Sequence, residues 1–252
     1  VVGGIESKIA KSTTAVNLAI YLSMQKQHDV LLIDADPQAN ATSGIGVDVE
    51  KQKKGTYELL EHTVKVEETI VKTESPNLDL IPSHIDLVAI EIELVDKHER
   101  EYMLRKSLES IKDNYDYIFI DCAPSLGLIT LNALSAADSV LIPIQCEYFA
   151  LEGLGKLLNT IKSIQKIHNK DLDIEGLLLT MYDSRLRLSN QVVEEVKKHF
   201  GKMVFKTIIQ RNIRLGEAPS FGENIIQYDA TSKGAQNYLS LAQEVLKKNK
   251  GK

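Results

Sequence analysis

The sequence predicts an α/β fold: a mostly parallel, twisted sheet with helices on both faces. Three observations predict it. Six short, β-rich apolar runs recur along the 252 residues, at 30–33, 78–81, 117–120, 140–144, 176–180 and 204–209. Most are continuous in hydrophobicity rather than alternating, as strands covered on both sides require. Stretches of helical period separate them, and strand, helix, strand in succession implies crossover connections and parallel pairing.

Taken in order, Val1-Val2 reads as a short first strand. The stretch 13–26 reads as a helix, with Val16, Ala19, Ile20 and Ser23 on one face and Leu18 and Leu22 widening its apolar stripe. The run at 30–33 follows. Between the third and fourth segments of the chain, 97–112 sets Met103, Leu104, Leu108 and Ile111 among charged neighbours, again at helical spacing. The stretches 151–167, 189–200 and 231–248 repeat that pattern, and the lysines at 247, 248, 250 and 252 read as a solvated tail. No Pro-, Gly- or Ser-rich linker and no internal repeat divides the chain, so residues 1–252 are expected to form one domain.

Composition narrows the function. No run of about 18 apolar residues occurs, so no membrane span is expected, and no basic segment followed by an apolar run suggests a secretory leader. Cys122 and Cys146 lie in apolar runs and read as buried thiols of a reducing, cytoplasmic compartment. Six histidines form no ligand cluster, which argues against structural zinc. The net charge is −5, so any nucleic-acid surface must be a local patch.

Three segments carry chemistry. In Gly3-Gly4-Ile5-Glu6-Ser7-Lys8-Ile9-Ala10-Lys11-Ser12-Thr13-Thr14, a Lys-Ser pair opens a helix behind a short strand. A lysine there reaches terminal phosphates, a hydroxyl reaches Mg²⁺, and the helix start favours an anion. The strict phosphate-loop pattern fails, because Ile5 and Ala10 stand where glycines belong. Two readings stay open at this point: a phosphate site, or Ser12-Thr13-Thr14 capping an ordinary helix. The second segment runs an apolar strand into Asp34, Asp36 and Pro37. One carboxylate would hold Mg²⁺ through water and the other would orient an attacking water; Asp-Pro also opens turns. The third ends a strand at Asp121, the geometry of a Walker B aspartate. No GxGxxG or GxSxG occurs, which argues against dinucleotide binding and a nucleophile elbow.

Five longer stretches carry a resemblance: STTAVNLA at 12–19, LLIDADPQANATSG at 31–44, DYIFIDCAPSLG at 116–127, IPIQCEYFALEG at 142–153 and QRNIRLGEAPS at 210–220. With these the chain resembles the ParA-type chromosome and plasmid partition ATPases, the Soj-like branch of the deviant Walker A superfamily that also contains MinD. The resemblance implies a P-loop NTPase-like fold and the cofactors ATP and Mg²⁺. It implies that Lys11 grips the β- and γ-phosphates, that Ala10 and Thr13 line the phosphates, and that Ser12 binds Mg²⁺. Asp36 would position the hydrolytic water beside the metal, Asp121 would reach Mg²⁺ through water, and Pro124 would lie in the switch segment. Asn212 would lie in the loop that holds adenine. Arg185, Arg187 and Arg214 fall where relatives carry residues for non-specific DNA; a solvated surface is the plain alternative for them. The implied partners are nucleotide, DNA, a ParB-type centromere-binding protein and a second copy of the chain, in a bacterial, nucleoid-associated setting.

The family pattern reads Lys-Gly-Gly-Xaa-Gly-Lys-Thr-Thr, and in register with Lys11 this chain reads Glu6-Ser7-Lys8-Ile9-Ala10-Lys11-Ser12-Thr13. The loop glycines are gone, and Glu6 stands where the family's signature lysine meets triphosphate. A pseudo-ATPase scaffold of the same fold is therefore the competing reading. A membrane-positioning role in the manner of MinD ranks last, since the C-terminal end offers charge without an apolar face.

Overall fold

A computed structural model describes residues 1–2, 8–25, 28–123, 125 and 127–250, with backbone alone at 8 and 9. The chain runs α1 (Lys8–Met24), β1 (Val30–Ala35), α2 (Asn40–Gly44), α3 (Thr56–Glu61), β2 (Val71–Lys72), β3 (Leu78–Ile81), α4 (Ile90–Glu93), α5 (Met103–Leu108) and β4 (Tyr117–Cys122). It continues through α6 (Leu128–Ala136), β5 (Ser139–Gln145), α7 (Ala150–Ile167), β6 (Asp173–Thr180), α8 (Arg187–Phe200), α9 (Ile213–Glu217), α10 (Ile225–Asp229) and α11 (Lys233–Lys248).

The strand order β2-β3-β1-β4 is joined to β5-β6 by the two first residues. Val2 pairs in parallel with both Asp121 and Leu141, its N–H donating to the Ile120 carbonyl at 2.9 Å while Leu141 N–H donates to Val1 at 2.8 Å. Val1-Val2 is thus the central strand piece of the expected sheet. Every described pairing is parallel except that of the short β2 with β3.

Period-two alternation within β1 explains the covering on both faces. Val30 and Leu32 pack with α1 and α11, whose Leu18, Leu22, Leu241 and Val245 share their cluster. Leu31 and Ile33 pack on the other side with residues of α3, α5 and α6, among them Leu59, Leu104 and Ala133. A third cluster sets α7 and α8 against Ile142, Ile144, Leu177 and Leu179.

Two expected elements differ. The run 204–209 does not form a regular strand: it touches β6 through Phe205 N–H to Leu177 and Ile209 N–H to Leu179, both at 2.9 Å. The amides between them turn away, Lys206 and Thr207 donating to the Glu244 carboxylate of α11 at 2.7 and 3.0 Å. The helix expected over 97–112 breaks into a 3₁₀ turn, the six-residue α5 and another 3₁₀ turn. Asn132 of α6 holds this break, accepting from Leu104 N–H at 3.1 Å and donating to the Arg100 carbonyl at 2.8 Å.

Gly55 fixes how α3 meets the sheet. A Cβ there would lie 2.2 Å from the Pro82 carbonyl oxygen, on the segment whose next residue donates Thr56 Oγ1–H to the Asp34 carbonyl at 2.6 Å. Gly55→Ala is expected to destabilise the fold by about 1–3 kcal/mol through this backbone clash. A lowered urea midpoint at unchanged slope is the check, and an unchanged midpoint refutes the packing account.

Candidate functional site

In open parallel sheets the crevice beyond the carboxyl ends of the strands is where ligands bind. Here that edge gathers the chemistry. The Val1-Val2 strand leads toward α1, whose first-turn amides lack intrahelical partners and carry the positive pole of the helix. Ala10 and Lys11 fall inside the first turns, because α1 begins at Lys8. The Ala10 carbonyl accepts Thr14 Oγ1–H at 2.6 Å, and the Thr14 hydroxyl also meets the Tyr238 hydroxyl at 3.0 Å. The start of α1 is thereby fastened to α11. Residues 3–7, which hold Glu6 and Ser7 of the altered loop, lie outside the described residues, as does Pro124.

Lys11, Ser12, Thr13, Asp34, Asp36 and Asp121 are all buried. Asp34 and Asp121 are register partners on the adjacent strands β1 and β4, at their carboxyl ends. Side chains at paired positions share one face, and neighbouring strands are ~4.8 Å apart. The Asp121 carboxyl is driven well above the ordinary range, first by burial and then by the charges of Asp34 and Asp36; the Ser12 hydroxyl and the Lys11 ammonium pull it back. Lys11, Ser12, Asp34 and Asp36, up to 110 positions from Asp121, are thus all within electrostatic reach of its carboxyl. Among the described residues both Asp121 oxygens lack a hydrogen bond.

The neighbouring carboxylate is treated differently. Asp34 accepts from Thr42 N–H and Thr42 Oγ1–H on one oxygen, both at 2.8 Å, and from Asp36 N–H on the other at 3.1 Å. Burial still pushes its pKa up to about 6, the Asp36 charge adding to that and the three donors opposing it. Asp36 accepts Gln38 N–H at 3.0 Å, closing the turn that follows β1. Cys122, next to Asp121, is buried and pushed up to about 12 by burial and by that carboxylate, so it is an inert thiol. The start of α6 meets α4: Glu91 accepts Leu128 N–H at 2.8 Å, and a Cβ on Gly127 would lie 2.2 Å from its carboxylate.

Mg²⁺ prefers few protein ligands and keeps waters or phosphate oxygens for the rest. Among the described residues no cluster of three His, Cys, Asp or Glu is placed to hold a metal. A buried carboxylate without hydrogen bonds, beside a serine hydroxyl and a lysine, is a hard-oxygen donor set that fits Mg²⁺ with phosphate. The Asn17 side chain ties this region to the C-terminal part, donating to the Thr13 carbonyl at 2.8 Å and accepting from Ile225 N–H at 3.1 Å.

The remaining expected residues stand elsewhere on the same edge. Asn212 follows the segment that bridges β6's exit at Tyr182–Gln210, and its side chain caps α9 by accepting Arg214 N–H at 2.9 Å. Arg187 is exposed at the start of α8. Arg185 and Arg214 are paired with acids, two of them close in sequence and one brought by the fold. Arg185 forms a bidentate pair with Asp183 at 2.9 and 2.7 Å, and Arg214 meets Glu217 at 3.1 Å and Asp229 at 3.7 Å. Thr42 and Asn17 are residues that motif spacing alone did not single out; their signal is a buried, hydrogen-bonded polar side chain.

A family model described as an AAA domain matches residues 3–174. The sporulation initiation inhibitor protein Soj of Bacillus subtilis is 54% identical over 237 residues, covering 94% of this chain and 93% of that protein. The chromosome partitioning protein ParA of Myxococcus xanthus is 49% identical over 241 residues, covering 96% and 85%. Among solved structures, a cobyrinic acid a,c-diamide synthase from Mycobacterium smegmatis with bound ATP analog and magnesium superposes with a TM-score of 0.86 at 34% identity, covering 99% of this chain and 94% of that one. A putative plasmid partition protein from Borrelia burgdorferi bound to AMPPNP superposes with a TM-score of 0.82 at 30% identity, covering 98% of this chain and 97% of that one. An α/β architecture with a mostly parallel sheet and about half-identical sequence over nearly the full length of Soj and ParA lead to one conclusion: the chain belongs to the Soj and ParA family of chromosome-partitioning ATPases.

Proposed function

We propose that this chain is an ATP- and Mg²⁺-dependent partition switch. The observation that supports the reading is a buried Asp121 carboxylate with no hydrogen bond of its own among the described residues, within electrostatic reach of Lys11, Ser12 and Asp36. When bound, Mg²⁺ would supply positive charge that offsets the phosphate oxygens. Ser12 and Asp121 hold the metal site. Lys11 and the first-turn amides of α1, with Ala10 and Thr13, face the phosphates. Asp36 orients the attacking water, and Asn212 lies on the adenine side. Residues 1–252 act as one domain.

In this reading the nucleotide state selects between a monomer and a closed pair of chains, by contacts that differ between the two. The pair presents Arg185, Arg187 and Arg214 to DNA phosphates, Arg185 and Arg214 exchanging their carboxylate partners for phosphate while Arg187 is directly available. A ParB-type partner accelerates hydrolysis and returns the chain to the monomer, in a cytoplasmic, nucleoid-associated cycle. Among the described residues no helix is long and apolar enough to cross a membrane, and no stable membrane association is proposed. The greater identity to Soj than to the cobyrinic acid a,c-diamide synthase favours partition over amide synthesis on the shared fold.

The altered run Glu6-Ser7-Lys8 supports a second reading, a scaffold that pairs without hydrolysing ATP. Retention on a non-specific duplex at low salt separates them. The switch predicts strong retention with ATP and Mg²⁺, weak retention with ADP, and a steep loss with added salt as phosphate contacts release counterions. Equal retention with ATP and ADP refutes the switch.

A further inference from the structure

We infer that Thr42 is a positioning residue for Asp36, acting through Asp34. The inference rests on the proposed role of Asp36 and adds a residue to it. Thr42 lies on α2, wholly buried, and its hydroxyl serves as a two-way junction. It donates to Asp34 Oδ2 at 2.8 Å and accepts Ser83 N–H from the exit of β3 at 3.1 Å. Its own amide donates to the same Asp34 oxygen at 2.8 Å. The other Asp34 oxygen accepts the Asp36 amide at 3.1 Å.

Both Asp34 oxygens are therefore committed, and each has a different task. One is clamped by α2, which is in turn tied to β3. The other holds the backbone of the residue proposed to orient water. A carboxylate with a single donor pivots about its Cβ–Cγ bond; with two donors from Thr42 on one oxygen it is set in one plane, and the Asp36 amide is set with it. The main chain at this turn needs such support, because Ala39 takes a left-handed conformation at φ 51° that alanine rarely adopts. Thr56 adds a further restraint by donating to the Asp34 carbonyl at 2.6 Å. Nothing in the geometry puts Thr42 itself at the Asp121 carboxylate, so its effect on chemistry passes through the position of Asp36. A displacement of about 1 Å at a reacting group costs on the order of a hundredfold in rate.

The test is steady-state ATP hydrolysis by the full chain with Mg²⁺, for Thr42→Val, Thr42→Ser and Asp36→Ala. Thr42→Val keeps the shape and removes the junction. It is expected to lower kcat at least tenfold while KM for ATP stays within twofold, and Thr42→Ser is expected to restore kcat to within twofold of the natural chain. A role confined to folding would lower the melting temperature without that split. If Thr42→Val does not fold, Thr42→Ala is judged by the same criterion. Natural kcat in Thr42→Val overturns the inference, as does equal loss in Thr42→Val and Thr42→Ser, or a kcat loss accompanied by a matching rise in KM. If Asp36→Ala turns over like the natural chain, or the natural chain does not hydrolyse ATP, the proposed function falls and the inference with it. An inactive Asp36→Ala beside a fully active Thr42→Val removes the inference alone.

Discussion

Replacing Asp121 by asparagine is expected to raise the melting temperature of the ligand-free protein and to erase its response to ATP and Mg²⁺. The ligand-free fold buries this carboxylate without a hydrogen bond among the described residues and places the charges of Asp34 and Asp36 near it. Desolvation and repulsion outweigh the help of Ser12 and Lys11, since the net displacement of its pKa is upward. An asparagine of the same shape removes the charge, at the smaller cost of a buried amide. Relief of a poorly compensated buried charge is worth about 2 kcal/mol, or about 4–8 °C for a chain of this size. The gain depends on pH with a definite sign. An acid whose folded pKa lies above its unfolded value binds more protons in the native state, so native stability falls as pH rises above the ordinary value of 3.8. Asparagine has no such slope, so the advantage of the variant is small near pH 4 and largest above neutrality. Asp34, displaced in the same direction to about 6, keeps its part of the slope in both proteins. Thermal unfolding at the two pH values, with and without ATP and Mg²⁺, is the measurement. A variant less stable than the natural chain at pH 8 contradicts the account.

Lys11→Met is expected to abolish stabilisation by ATP and Mg²⁺ while keeping most of the buried methylene packing. For the natural chain, ligand at a hundred times Kd adds about 2.7 kcal/mol, a shift of about 5–11 °C. The variant loses the ammonium that faces the phosphates, and its shift is expected to fall below 2 °C, an order-of-magnitude margin set by the same conversion. Its ligand-free stability is also expected to fall, because the lysine helps offset the Asp121 charge. The two substitutions couple: adding Asp121→Asn to Lys11→Met recovers stability beyond the sum of the single effects, as neighbouring charges do in a double-mutant cycle. An undiminished shift in Lys11→Met separates this lysine from nucleotide binding.

Much of the sheet is visible before folding. The run 30–33 is apolar at every position because its alternate residues enter two different clusters, and 117–120 and 140–144 share that origin. Motif order also places Asp36 and Asp121 at strand exits, since a strand that ends in a carboxylate carries its own boundary signal. The irregular 204–209 segment escapes this logic. Its composition favours a strand, but Glu244, 37 positions beyond Thr207, takes the amides that a ladder would use. The broken 97–112 stretch has the same kind of cause in Asn132. The ion pair of Arg214 with Asp229 of α10 is likewise set by the fold rather than by spacing.

Hydrophobic periodicity and strand-terminal aspartates are local properties, and they suffice for the class of fold; the five longer stretches carry the family. Hydrogen-bond partners are not local. Thr42 and Asp34 stand 8 positions apart, Thr42 and Ser83 stand 41 apart, and Asn17 and Ile225 stand 208 apart. A single side chain has too many candidate partners along a chain of this length for spacing to choose among them. Burial makes the choice, because a polar group removed from water must find whichever donor or acceptor the packed elements bring to it.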